Sequence, residues 1–328
     1  MNSFQAVRVT SDDQGNFEQQ IVSREIDQLP EGELLVRVGW SSLNFKDALS
    51  GLGIPGVTRN YPHTPGIDAA GEVVSDSTGK FKAGDQVIVT GYDLGMNTDG
   101  GLSQMIRVPA SWATPLPQGL STRQAMVLGT AGLTAGLSVE KLLAHGIQSG
   151  RILVTGATGG VGSIAVAILA KLGFQVIAVT GKAESEAYLK SIGASEVISR
   201  QEISELPGKP LLKPQWDGAV DCAGGQTLTA ILRSLAPGGA VSCCGLVDSP
   251  KLEMTVLPFI LRGVSLLGVD SVEIPLAAKA TVWQKFASEW MLPGLNDLAD
   301  EMPLTEVPAI FNDILKGKLK KRKLVRID

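Results

Sequence analysis

The chain of 328 residues reads as an α/β protein: a β-rich, barrel-like N-terminal domain followed by a doubly wound parallel sheet. Three observations predict this. A short apolar run, Ile152 to Thr155, enters a glycine-rich turn, Gly156 to Gly162, that opens directly into a helix-like segment, Ser163 to Gly173. Ahead of about Arg123 the chain reads as short strands punctuated by Gly and Pro, the pattern of a compact, partly open barrel. Behind it, strand-like runs alternate with helix-like spacers, as in a parallel sheet.

Composition narrows the class. The length has room for about two domains and a sizeable core. A hydrophobic content of 44% without an uninterrupted apolar stretch of about 18 residues suits a soluble globular protein. A net charge of −4 gives no general attraction to nucleic acid or anionic membranes, and Met1-Asn2-Ser3-Phe4-Gln5 has neither a basic head nor an apolar signal core. Cys222 and the adjacent Cys243-Cys244 form no spaced disulfide framework and no metal box, which points to a reducing cytoplasm.

Taken in order, alternation over Glu33 to Trp40 predicts a half-buried strand, and Gly84 to Val89 a turn into another. Pro115-Leu116-Pro117 marks a boundary, so the first domain is expected over 1–123. The nucleotide domain is expected over 124–294, with strands at Ile152 to Thr155, Gln175 to Val179, Glu196 to Ile198, Gly218 to Cys222, Ala240 to Cys244 and Val264 to Leu267. A return segment, 295–328, holds one more helix and a last strand at Leu324 to Ile327. No internal repeat or low-complexity segment interrupts this order.

The turn carries the first functional expectation. Ala157-x-Gly159-x-x-Gly162 is a dinucleotide fingerprint with Ala at its first position. Thr158, Gly159, Gly160 and Val161 would present backbone to a pyrophosphate at the N-terminus of the following helix, where unpaired N–H groups and the dipole favour anions. Val161, Ala165, Ile168 and Leu172 recur at helical spacing and would bury one face, with Gly173 capping the end. The same glycines would serve a plain strand-to-helix turn, but the succession of strands behind them favours a nucleotide. NAD-specific sites place an acid roughly 20 residues beyond the fingerprint. This chain has Thr180-Gly181-Lys182 there, a hydroxyl, a backbone approach and a cation that suit a 2′-phosphate, with Glu184 and Glu186 close by. The cofactor expected is therefore NADPH.

The order of a barrel-like domain, an AxGxxG nucleotide domain and a short returning tail resembles the medium-chain dehydrogenase/reductase superfamily across essentially the whole chain. Ser41 to Leu49, Pro65-Gly66-Ile67-Asp68, Gly129-Thr130-Ala131-Gly132, Phe259-Ile260-Leu261-Arg262 and Gly268-Val269-Asp270-Ser271 resemble its zinc-free quinone-oxidoreductase branch, and within that the NADPH-dependent acryloyl-CoA reductases. The resemblance implies a GroES-like domain plus a Rossmann domain. Zinc members carry a Cys near the Ser41 to Asp47 stretch and Gly-His-Glu where this chain reads Gly66-Ile67-Asp68. The only histidines are His63 and His145 and no cysteine precedes Cys222, so no site with N/S ligands is expected. The cysteines read as small core residues on or beside strands, and His63 as a loop residue.

Without a Lewis acid, the expected chemistry is hydride transfer to an already activated double bond, whose oxygen needs only positioning and hydrogen bonds. The resemblance assigns Asn44 and Asp47 to the active site. Three residues apart, they would share a helix face, Asn44 donating to an enolate oxygen and Asp47 orienting it, or they would be a helix-start pair satisfying backbone groups. Phe45 stands where relatives often have Tyr, so no phenolic proton donor is offered there; Tyr92 and Asn97 are polar substitutes or plain loop residues. Arg200 resembles a second phosphate-binding position. Leu246 and Ser271 follow the fifth and sixth strands as nicotinamide contacts, and Ile260 and Phe45 resemble further contacts, with core packing the alternative for the hydrophobic ones. Lys316, Lys318, Lys320, Lys321, Arg322 and Lys323 are either a phosphate-binding tail, Arg322 resembling a family cofactor position, or a solvated face. The expected function is reduction of a short enoyl thioester such as acryloyl-CoA; the alternatives are a quinone or enone acceptor, or an NADPH-binding sensor without turnover. The family resemblance also implies a homodimer, expected through the Val264 to Leu267 edge.

Overall fold

The computed structural model describes residues 3–205, 209–319 and 321–327. Met1, Asn2, Lys320 and Asp328 lie outside the described residues, and with them part of the N-terminal and basic-run readings. The chain divides into two compact units, one running to Thr130 and resuming at Ser271, the other spanning Ala131–Asp270.

The first unit begins with a hairpin, β1 (Ser3–Ser11) and β2 (Phe17–Glu25). Then come β3 (Leu34–Ser42), α1 (Phe45–Gly51), β4 (Asp68–Asp76), β5 (Gln86–Thr90), β6 (Met105–Val108) and β7 (Ala113–Pro115). The long helix α2 (Thr122–His145) leaves this unit and is broken at Gly129. Its apolar length would suffice to cross a bilayer, but 78% of that window is buried inside the fold. The helix is a core element, its apolar residues interrupted by Gly, Thr and Ser.

In the second unit β8 (Arg151–Val154), α3 (Gly160–Lys171), β9 (Gln175–Thr180), α4 (Glu186–Ser191), β10 (Glu196–Ser199), α5 (Arg200–Ser204), β11 (Trp216–Asp221), α6 (Gly225–Ser234), β12 (Leu235–Cys243), α7 (Leu257–Arg262) and β13 (Ser265–Gly268) alternate. The strands pair in the order β10-β9-β8-β11-β12-β13, all in parallel. Apolar runs such as Ile152-Leu153-Val154 and Val176-Ile177-Ala178 are fully buried, as strands covered on both faces require. Helix α3 is buried over Ile164, Ala165, Val166, Ile168 and Leu169, a wider face than the spacing predicts. Leu172 is a correction: it falls at the C-cap, past the last turn, and is 37% exposed. Gly173 follows in the left-handed region at φ 85°, the usual helix stop.

The first unit is completed by α8 (Leu276–Phe286), β14 (Ala299–Pro303), α9 (Val307–Leu315) and β15 (Arg322–Arg326). Its sheet runs β14-β15-β3-β4-β5-β7, with β6 also on β3, so the sheet is open as the Gly and Pro punctuation predicts. One edge of β3 is shared: its first half pairs with β6 and its last residues, Trp40 to Ser42, with β15. The expected changeovers at 123/124 and 294/295 differ from these units, which change at Thr130/Ala131 and Asp270/Ser271. Two contacts explain the difference. Thr130 is bound to Asp68, and buried Lys279 on α8 donates to Thr90 O at 2.8 Å.

Candidate active site

The end of β3 delivers Asn44 as the N-cap of α1. Asp47 in the first turn accepts the Asn44 backbone N–H at 2.7 Å through Oδ2 and the Ile67 N–H at 2.9 Å through Oδ1. The helix-start pairing is therefore present. The Asn44 side chain does more: Nδ2 donates to Asp68 Oδ2 at 2.7 Å, and lies 3.3 Å from Ser42 O and 3.4 Å from Asp47 Oδ2. Asp68, at the start of β4, also accepts from Ser42 Oγ at 2.7 Å, from Thr130 N at 2.9 Å and from Thr130 Oγ1 at 2.6 Å. Arg322 donates to Ser42 Oγ at 2.9 Å and sits 3.9 Å from Asp68.

Both carboxylates are fully buried. Burial, and then the charge of Asp68, push the Asp47 carboxyl up to about 7 against the hydrogen bonds from Ile67 and Asn44. Burial likewise lowers the Arg322 guanidinium, against the pull of Asp68 and Asp47. The cluster thus keeps an amide oriented and holds a proton near neutral pH. Gly129 makes the geometry possible: it has φ 52°, and a Cβ there would meet Asp68 Oδ2, Ser42 Oγ and Arg322 Nη2.

Arg322, which resembles a family cofactor position, is an inward-facing member of this cluster. Among the described residues of the basic run, Lys318 pairs with Asp313, and Lys321 and Lys323 with Asp300. Tyr92 and Asn97 belong to loop architecture. The Tyr92 hydroxyl donates to Ile274 O at 3.2 Å, its ring stacks on Trp112, and the ammonium of Lys279 lies 3.5 Å from the ring centroid. Asn97 binds Asp93 and the Arg59 N–H. His63 is buried beside Asp99, at 3.8 Å, in a cluster with Arg8 and Arg24. Among the described residues no group of three or more His, Cys, Asp or Glu is arranged to hold a metal ion.

In the second unit the fingerprint lies at the carboxyl end of β8. Gly156 turns at φ 58°, and a Cβ on Gly162 would meet Gly156 O. That close approach seats the first turn of α3 on the bend, so the N–H groups of Gly160 and Val161 start the helix without intrahelical partners. Thr155 and Asp221 fix the bend: Thr155 Oγ1 donates to Asp221 Oδ1 at 2.7 Å and accepts from Cys222 N at 2.9 Å. Thr158, Gly159, Gly160 and Val161 are all at least partly exposed, which a phosphate requires.

Thr180, at the end of β9, pairs in register with Ser199, placing Arg200 beside Gly181; a Gly181 Cβ would lie 3.2 Å from Arg200 Nη2. The Lys182 N–H donates to Thr180 Oγ1 at 3.0 Å. Two cations therefore flank a glycine at the strand end, and Glu186 is paired with Lys190 at 2.7 Å. This fits a phosphorylated ribose. Leu246 and Ile260 are 65% and 68% exposed and Phe45 53%, so core packing does not explain them. Ser271 is buried at 8%. Asp68, Ser42, Thr130, Asp221 and Lys279 carry no role in the sequence expectations. Ser42, Asp68 and Thr130 stand in motifs that carry the family resemblance, Asp68 where zinc members have Glu, whereas Asp221 and Lys279 have no such signal.

The family model for the alcohol dehydrogenase GroES-like domain matches residues 30–118, and that for zinc-binding dehydrogenases matches residues 160–288. The chain is 43% identical over 328 residues, 99% of both chains, to acrylyl-CoA reductase AcuI of Ruegeria pomeroyi. It is 47% identical over 304 residues, 92% of both chains, to putative quinone oxidoreductase YhfP of Bacillus subtilis, whose crystal structure with NAD bound superposes with a TM-score of 0.96 over 99% of this chain and 100% of that one. The yhdH oxidoreductase of Salmonella enterica, solved in complex with NADP, superposes with a TM-score of 0.95 at 43% identity over 99% and 100%. The metal that one family description names does not fit the residues present, which lack its donor set.

Proposed function

Since the chain belongs to the medium-chain dehydrogenase/reductase family, in the branch of acryloyl-CoA reductases and quinone oxidoreductases, we propose that it is an NADPH-dependent reductase of the activated double bond of a short enoyl thioester such as acryloyl-CoA. The observation that carries this reading is the Asn44 amide held by Asp68 and Asp47, an oriented donor of the kind a developing enolate needs. A bound nicotinamide supplies the hydride.

The chain's residues divide the remaining work. Thr158, Gly159, Gly160 and Val161 hold the pyrophosphate, and Thr180, Gly181, Lys182 and Arg200 the 2′-phosphate. Leu246 and Ile260, both exposed on the second unit, would contact the nicotinamide; Phe45 and Ser271 are the further contacts that the family resemblance implies. Asn44 turns its second amide N–H, which is engaged only at 3.3 Å or longer, to the thioester oxygen. Asp68 fixes that amide and Asp47 fixes the turn that carries it. Phe45 has no exchangeable proton, so the α-carbon takes its proton from solvent. The placement is cytoplasmic, and two copies joined along β13 would form a homodimer.

The quinone reading has its own support in the 47% identity to YhfP. NADPH oxidation with acryloyl-CoA, longer enoyl-CoAs and quinones separates the two. The highest kcat/KM with acryloyl-CoA is expected. Preference for quinones would select the alternative, and NADPH binding without turnover of any acceptor would make the protein a sensor.

A further inference from the structure

The cysteines carry an unassigned feature. Expected as core residues, all three are only half-buried. Asp221 and Cys243 are register partners on β11 and β12, and the Cys244 N–H continues that ladder to Asp221 O at 3.0 Å. Cys222 and Cys244, one step further along each strand, therefore lie side by side. Their sulfurs are 3.7 Å apart, and adjacent register partners fall within the Cα separations that a disulfide spans. Neighbouring Cys243 points to the other face of the sheet by strand alternation.

The pair abuts the glycine turn. A Cβ on Gly156 would lie 3.3 Å from the Cys222 Cβ, and a Cβ on Gly245 would meet Cys222 O. This is the carboxyl edge of the sheet, where ligands of open α/β sheets bind. The two thiols are also unlike. The hydrogen bond from Cys222, and one from Ser138, favour the Cys244 thiolate, whereas the Cys222 thiol is held up by that same pairing and by burial. Cys244 Sγ also lies 3.4 Å from Asp221 O, to which its S–H donates; on losing that proton Cys244 would be the attacking sulfur and Cys222 the resolving one.

We propose that Cys222 and Cys244 are a peroxide-oxidisable dithiol that closes to a reversible disulfide, and that a dinucleotide on the adjoining glycine turn shields it. The shielding rests on the nucleotide reading above; the disulfide does not. The Cys244 thiolate attacks a peroxide oxygen, the O–O bond breaks, and the departing hydroxide takes a proton from solvent, leaving a sulfenic acid. Cys222 sulfur then attacks Cys244 sulfur, the S–S bond forms as the S–O bond breaks, and the thiol proton leaves with the hydroxide as water. Two thiols lose two electrons and two protons, and hydrogen peroxide is reduced to two waters.

The test treats the full-length native protein with hydrogen peroxide, with and without NADP⁺, and maps non-reduced peptides by mass spectrometry. The expected result is a link between the Cys222 and Cys244 peptides, loss of two of the three thiols, and recovery of both with a reducing agent. Cys243→Ser should keep the link, and Cys222→Ser should replace it with over-oxidised Cys244. Because the wild-type map needs no variant, misfolding of a mutant does not blunt the test. Single oxidations without a link, or a link through Cys243, would overturn the proposal. With NADP⁺ at 100 times its Kd, about one part in a hundred of the protein is unliganded, and oxidation should slow by at least tenfold. If NADP⁺ binds by independent titration yet does not slow oxidation, the shielding is wrong. If NADP⁺ does not bind at all, the nucleotide reading fails while the disulfide stands.

Discussion

Asn44 Nδ2 donates to Asp68 Oδ2 at 2.7 Å, joining the N-cap of α1 to the start of β4. The amide is thereby fixed in direction, with its second N–H only loosely engaged. A donor preset in this way stabilises charge that appears in the transition state more than it binds the ground state.

Replacing Asn44 by Ala should therefore lower kcat by roughly 10²-fold, the lower end for a lost oxyanion donor, with the NADPH Kd nearly unchanged. Steady-state kinetics beside a nucleotide titration reads both. An effect confined to KM, or an unfolded variant, would reduce Asn44 to a binding contact or a helix cap.

Asp47 links the cluster to pH. Its carboxyl is raised from 3.8 to about 7, so between those values the folded state holds a proton that the unfolded state has released. The contribution of this group to stability is full at low pH and is lost as pH rises through 7. The permanently neutral Asp47→Asn lacks that loss. The stability gap between wild type and variant, read by urea unfolding, should shift in favour of the variant as pH rises, at up to about 1.4 kcal/mol per pH unit. A gap independent of pH across this window contradicts the raised value.

Cofactor preference is testable at Lys182. Its removal to Ala should weaken NADPH by about 1–3 kcal/mol, the range for charge-assisted contacts, and leave NADH nearly unaffected. The NAD complex of YhfP makes the NADH arm informative. Equal losses for the two cofactors would remove Lys182 from the phosphate site.

Gly129→Ala should destabilise the fold by about 1–3 kcal/mol, because it combines a positive φ with overpacking. The new methyl would press on Asp68, Ser42 and Arg322, so activity should fall together with the denaturant midpoint. An unchanged midpoint would mean that the α2 break is not required.

Local physics is what the sequence by itself determined. Strand, glycine turn and helix at Ile152 to Gly173 follow from spacing and backbone freedom within a few residues, and β8 and α3 form where expected. The acid missing after β9 and the cations near it are equally local, as is the i to i+3 relation of Asn44 and Asp47. What only the tertiary structure decided is who meets whom across long separations. Asp68 gathers Ser42, Asn44, Thr130 and Arg322 because β15 returns to pair with β3 and α2 breaks at Gly129; neither event has a sequence periodicity to announce it. Arg322 stands in a run that reads as uniformly basic in sequence, and it is the strand it begins that turns it inward. Cys222 and Cys244 are neighbours through the register of β11 and β12, and the raised Asp47 carboxyl exists through burial. Pairing register and desolvation are properties of the assembled sheets, which no window of the chain contains.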